Sequence, residues 1–213
     1  MKTDELIDML ATHAGGVDRG YARRRYGLAV GAGTACAIVV MAAALGPRHD
    51  VARAMLLPMF WVKLAFVASL AMLGVAGAWR LAIPAREVGA ISRAIGVVVA
   101  VMWVIAAVAL WRSVPQVRAQ LVLGQTWTSC PWLIAGLSIP VFAALAWAVK
   151  GMAPTRLRWA GGMAGFASGA VAALVYSIHC PELGAPFLGT WYVAGMLVPT
   201  AIGALLGNRL LRW

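Results

Sequence analysis

"CPWLIAGLSIPVFAALAWAVKGMAPTRLRWAGGMAGFASGAVAALVYSIHC" fills residues 130–180. Two apolar stretches, 131–149 and 159–178, are parted by the short, basic, turn-rich piece KGMAPTR. Each stretch is long enough to cross a hydrocarbon core about 30 Å thick. A single helix satisfies its own backbone groups in lipid, so each is predicted to be a membrane-spanning helix. Two antiparallel helices of similar length, joined by a short loop, bring their far ends back to about one helix diameter. A cysteine followed by proline stands at each far end, Cys130-Pro131 and Cys180-Pro181. The two thiols are therefore expected at the same membrane face, on neighbouring helices.

The same reading extends outward along the chain. Hydrophobic residues make up 62% of the sequence and charged residues 12%, about half the charge of a soluble domain. Further spans are expected at about 27–46, 57–79, 90–111 and 188–208. The expected fold class is all-α, an integral membrane six-helix bundle over 27–213, preceded by a cytoplasmic segment over 1–26. The apolar part of the first span is longer than the core of a signal peptide, and a polar stretch precedes it, so a retained span is expected.

The net charge of +11 does not point to direct nucleic-acid binding, because the basic residues alternate between the ends of the spans. With the N-terminus inside, thirteen Lys and Arg fall on the inner side and four on the outer. That bias places both termini of a multi-pass protein in the cytoplasm, with the lipid bilayer as solvent. Trp79, Trp147, Trp159 and Trp213 mark the inner boundary, and Trp61, Trp111, Trp127, Trp132 and Trp191 the outer one.

Small residues recur every fourth position in the fifth span, at Gly161, Gly165, Gly169, Ala173 and Ser177. The sixth carries Gly195, Gly203 and Gly207, with Pro199 between. In lipid, helices associate by close van der Waals approach, which small residues permit. These rows are expected to pack inside the bundle.

Pro131 suits the first helical position of the fourth span, and Pro181 ends the fifth. Cys130 is then expected at a helix N-terminus, where the dipole favours thiolate, and Cys180 at a C-terminal end, where it does not. Spacing leaves three options open: a static disulfide, a switchable thiol or soft-metal site, and two unlinked thiols. In a metal site, His179, Cys180 and Cys130 would supply nitrogen and sulfur, with Glu182 or water as a fourth ligand. Cys36, in mid-span among small residues, is expected to be a buried filler. Lys63 lies inside the second span, about 10 Å below its outer end. It is expected to snorkel outward past Trp61 or to take a structural partner. The 112–126 segment is expected to lie on the outer surface as a short amphipathic helix near Cys130.

At the other end of the chain, "TDELIDMLATHA" (3–14) predicts a short helix capped by Thr3. Leu6, Ile7, Leu10 and Ala14 share one face, and Asp4, Glu5 and Asp8 make the segment acidic. A helix this short needs a partner to bury its apolar face. Anionic lipid repels it, whereas a protein groove with a basic rim would accept it.

The pieces TDELIDML, TSCPWLIAGLSIPVFAALAWAVKGMAPTR, YSIHCPELGAPFLGTWYVAGM and GNRLLRW, taken together, resemble the negative-regulator-of-sigma-F family over essentially the whole chain. That resemblance implies a six-span anti-sigma factor of the inner membrane. It would hold an extracytoplasmic-function sigma factor through the N-terminal motif, Asp4, Glu5, Leu6, Ile7, Asp8 and Leu10. It also implies that Cys130 and Cys180 take part in the response to oxidative or heavy-metal stress. Two alternatives are a membrane thiol-disulfide oxidoreductase and a small transporter. The first would need a second cysteine pair to hand electrons on. The second would need a buried carboxylate to match Lys63 and broken helices in symmetric positions. No Ser-His-Asp set, phosphate loop or H-E-x-x-H appears, so neither enzymatic activity nor a cofactor is expected.

Overall fold

The computed structural model describes residues 3, 5, 9, 19–46, 48–84 and 86–212. Six helices are long and apolar enough to cross a bilayer. They are α1 (Arg19–Ala44), α2 (Pro58–Ala82), α3 (Gly89–Arg112), α4 (Cys130–Lys150), α5 (Leu157–Tyr176) and α6 (Ala185–Leu210). No strand occurs among the described residues. Helix α1 begins well before the expected 27, so the basic cluster Arg23, Arg24 and Arg25 is helical.

Burial and apolarity run in opposite directions along the chain. Helix α5 has a mean hydropathy of 1.3 and 83% of that stretch is buried, whereas α3 has 2.6 and 11%. Helix α5 is the axis of the bundle, packed against α6, α2, α4 and α1, and α3 lies at the edge against α2 and the start of α6. Residues facing other helices can be small and weakly apolar, while those facing lipid must be apolar.

The small-residue rows of α5 and α6 meet as expected. A Cβ at Gly161 would collide with the Gly203 carbonyl, and one at Gly165 with the Pro199 carbonyl. One at Gly169 would come within 2.8 Å of Pro199 Cγ. The two backbones therefore touch with no side chain between them. On the opposite side of α5, a Cβ at Gly74 of α2 would lie 2.9 Å from the Ala167 Cα.

Helix α1 packs on α4, and its buried positions are Tyr26, Ala29, Gly33, Ala37 and Met41. Gly33 allows the approach, because a Cβ there would lie 2.9 Å from the Val141 Cα. Cys36 falls off this face and is exposed, which corrects the expectation of a buried filler. Only 22% of the apolar stretch of α1 is buried, so most of its mid-span positions face outward.

At the end of the bundle where α1 begins, Tyr26 ties α1 to α2. Its hydroxyl donates to the Val75 carbonyl at 2.7 Å, and its ring meets Trp79 edge-on at 5.0 Å. Arg25 ties α1 to α4, donating to the Trp147 carbonyl at 2.9 Å with its guanidinium 4.0 Å above the Trp147 ring.

Candidate functional site

The site lies at the end of the bundle opposite Tyr26, where α4 begins and α5 ends. Cys130 is the first residue of α4, and its N–H donates to the Thr126 carbonyl at 2.8 Å. Cys180 lies in the turn after α5, where its N–H donates to the Tyr176 carbonyl at 3.0 Å. Both are fully buried free thiols, and each lies against the other. The juxtaposition follows from two antiparallel helices of 21 and 20 residues joined by a short turn.

Lys63 of α2 is fully buried beside the thiols. Its ammonium donates to the Cys180 carbonyl at 2.9 Å and the Glu182 carbonyl at 3.0 Å, and lies 5.2 Å from the Tyr192 ring centre. It therefore takes a structural partner and does not snorkel. Loop carbonyls without an intrahelical bond need a donor when buried, and Lys63 supplies it.

Tyr176 and Tyr192, rings 6.0 Å apart, complete the wall. Tyr192 ends the π turn Leu188–Tyr192 within α6. Its hydroxyl is wholly buried, has no oxygen or nitrogen partner at hydrogen-bond geometry, and faces the Cys180 thiol and Ser177.

These neighbours reverse the polarity expected of the pair. Cys180, outside the helix, is held well below the ordinary thiol range. The main cause is its contact with the Cys130 thiol. Burial opposes the shift, and the Lys63 ammonium, the Tyr192 hydroxyl and the Glu182 backbone reinforce it. A nearby full positive charge outweighs the partial charge of a helix end.

The loop carrying Cys180 is fastened from three further directions. His179 donates from Nδ1 to the Gly46 carbonyl at 2.8 Å, which requires its proton on that nitrogen. Arg48 reaches the Cys180 carbonyl at 3.5 Å and the Pro181 carbonyl at 3.4 Å while paired with Asp50. Glu182 accepts from the Gln125 N–H at 2.7 Å. That last contact depends on Gly124, whose φ is +57° and whose missing Cβ would lie 2.8 Å from the Glu182 carboxyl carbon. The helix Pro115–Leu123 lies just before this turn, has no buried residue, and accepts from Trp191 Nε1 at the Val122 carbonyl.

The four-residue ligand set drawn from the sequence is therefore not assembled. His179 is turned to Gly46 and Glu182 to Gln125. Among the described residues, no group of three or more His, Cys, Asp or Glu could hold a metal ion. Of the N-terminal motif, Glu5 is helical and exposed, as are Thr3 and Met9. Asp4, Leu6, Ile7, Asp8 and Leu10 lie outside the described residues. Sequence reasoning missed Tyr176, Tyr192 and Arg48 as parts of the site. A lysine within an apolar span was the one available signal.

Residues 10–213 match the model of the family described as negative regulator of sigma F. The chain is 53% identical over 213 residues to a probable anti-sigma-F factor of Azospira oryzae, covering 100% of both chains. It is 39% identical over 215 residues to the anti-sigma-F factor of Caulobacter vibrioides, again covering 100% of both. No solved structure matches.

Proposed function

This chain belongs to the negative-regulator-of-sigma-F family, and on that premise we propose that it is an inner-membrane anti-sigma factor switched by its outer thiols. It holds an extracytoplasmic-function sigma factor through residues Asp4 to Leu10 on the cytoplasmic side. It releases that partner when an oxidant or a thiol-seeking metal changes Cys130 and Cys180. The observation that carries the reading is the buried Cys130–Cys180 pair with Lys63 beside it. A thiol held low is the more reactive one toward such agents. The inner bias of Lys and Arg supports cytoplasmic termini, and the acidic N-terminal segment suits a partner with a basic surface. The role is regulatory, with no reaction catalysed. An oxidoreductase is disfavoured because the third cysteine, Cys36, is exposed in mid-span, far along α1 from the pair.

The test uses the full-length protein in membranes. Transcription from the sigma-dependent promoter is measured with and without peroxide or cadmium, in the wild type and in Cys130→Ser and Cys180→Ser. Each substitution should abolish induction, and an undiminished response in both would overturn thiol sensing. Deleting residues 1–14 should abolish co-purification of the sigma factor, whereas retained binding would overturn N-terminal docking.

A further inference from the structure

We propose that Lys63 is the positioning residue through which the thiol pair acts on the bundle, holding the Cys180 loop to α2, with Tyr26 of α1 receiving the change at the inner end. This rests on the thiol-sensing reading above. Lys63 is fully buried, yet both its hydrogen bonds go to neutral carbonyls. A buried ammonium needs a counter-charge. The groups facing it are Cys180 and Glu182 from the loop, Cys130 from α4, Arg48 from the α1–α2 connection, and the Tyr192 ring from α6. Arg48 has the same sign, and the Glu182 carboxylate, which also accepts from Gln125, attracts the ammonium less than the thiols do. The thiol pair, with Cys180 foremost, supplies the main counter-charge.

Oxidation removes that anion. A hydroperoxide takes two electrons from the pair: the Cys180 thiolate attacks the peroxide oxygen and the O–O bond breaks. Cys130 then displaces hydroxide from the resulting sulfenic acid. Thiolate, thiol and hydroperoxide become a disulfide, an alcohol and hydroxide. The disulfide is neutral, so Lys63 keeps two carbonyls, the weaker attraction of Glu182 and the repulsion of Arg48, and its hold on the loop weakens.

Helix α2 carries the consequence inward. Lys63 and Val75 lie about twelve residues, or roughly 18 Å, apart on one continuous helix. Val75 accepts from Tyr26, and Trp79 of α2 packs on the Tyr26 ring. Tyr26 lies near the start of α1. The thiol loop and the start of α1 are thus joined through one helix and one inter-helix hydrogen bond.

The experiment compares wild type, Lys63→Met, Lys63→Arg, Tyr26→Phe and the Lys63→Met/Tyr26→Phe double variant as full-length protein in membranes. Sigma-dependent transcription is read with and without hydrogen peroxide, and the disulfide is scored separately by maleimide gel shift. Lys63→Met should raise uninduced output by at least about fivefold and lose the peroxide response, and Lys63→Arg should keep it. Tyr26→Phe should form the disulfide normally yet respond at least about fivefold less, and the double variant should show less than the product of the single effects. Wild-type behaviour of Lys63→Met, or independent multiplication of the two effects, would overturn the proposal. If Lys63→Met does not accumulate in the membrane, Tyr26→Phe decides, and an undiminished response overturns it. A wild type that forms the disulfide without any transcriptional response would sink thiol sensing itself, which is a separate outcome.

Discussion

The two ends of the bundle are fastened in different ways. At the thiol end, Lys63, Arg48 and His179, drawn from α2, the α1–α2 connection and the loop itself, bind the irregular stretch 177–184 to its neighbours, and all of them use backbone carbonyls. A non-helical segment has carbonyls to spare, and buried ones must be met. At the opposite end, α1 is joined to its neighbours by single bonds to carbonyls of helices, Tyr26 to Val75 and Arg25 to Trp147, and Arg25 Nε there is buried without a hydrogen-bond partner. Several bonds thus converge on one loop at the thiol end, whereas α1 hangs on one bond to each neighbour at the other, so less has to be broken there for α1 to shift.

The severest test removes the support both ends share. Gly165→Leu forces a side chain into the Pro199 carbonyl and should cost about 3 kcal/mol or more. Thermal unfolding in detergent should show a large drop, and an unchanged midpoint would mean α5 and α6 are not in backbone contact. Next come Gly124→Ala at the thiol end and Arg25→Ala at the opposite end. The first strains a positive φ and displaces Glu182, at about 2 kcal/mol. The second removes one ring contact and one hydrogen bond, at about 1 kcal/mol. Denaturation giving the reverse order would mean the two ends are not fastened as described.

A third test reads ionisation. The carbon-13 shift of labelled Cys180 Cβ should titrate at a pH well below that of an ordinary thiol, because its neighbours favour the thiolate. A folded pKa lowered in this way contributes stability above the unfolded thiol pKa, and that contribution is lost as pH falls through the folded value. Cys130→Ala removes the main contributing contact, so the titration of Cys180 should move upward toward ordinary thiols. The smallest effect is expected at Asp50, whose carboxyl is held below its usual range by Arg48. Its contribution is present above the ordinary carboxylate pKa of about 4 and is lost as pH falls through the lowered value. Asp50→Asn should lower stability slightly at neutral pH and converge with the wild type once pH falls below the lowered value, which flattens that acid limb.

The helices were legible because length and apolarity alone decide them. The Cys130–Cys180 meeting was legible because one short loop links two spans of similar length. Lys63 was visible only as an anomaly. Whether it turns outward to water or inward to loop carbonyls depends on where residues 180 and 182 come to rest, more than a hundred positions away. Tyr192 was hidden for the same reason, since its aim depends on the π turn Leu188–Tyr192. Cys36 was misjudged because α1 has the same small residues on both its faces, and only the contact at Gly33 shows which one meets α4.

The inverse relation between burial and apolarity in α5 bears on how the chain is made. With a mean hydropathy of 1.3 and glycines where other helices carry bulk, this segment has little affinity for acyl chains of its own. It gains its place from company, and its main partner α6 leaves the ribosome after it. During synthesis α5 is therefore expected to wait beside the insertion machinery until that partner arrives. A nascent polypeptide cut off after Tyr176 would present quality-control proteases with an orphaned, weakly inserted segment.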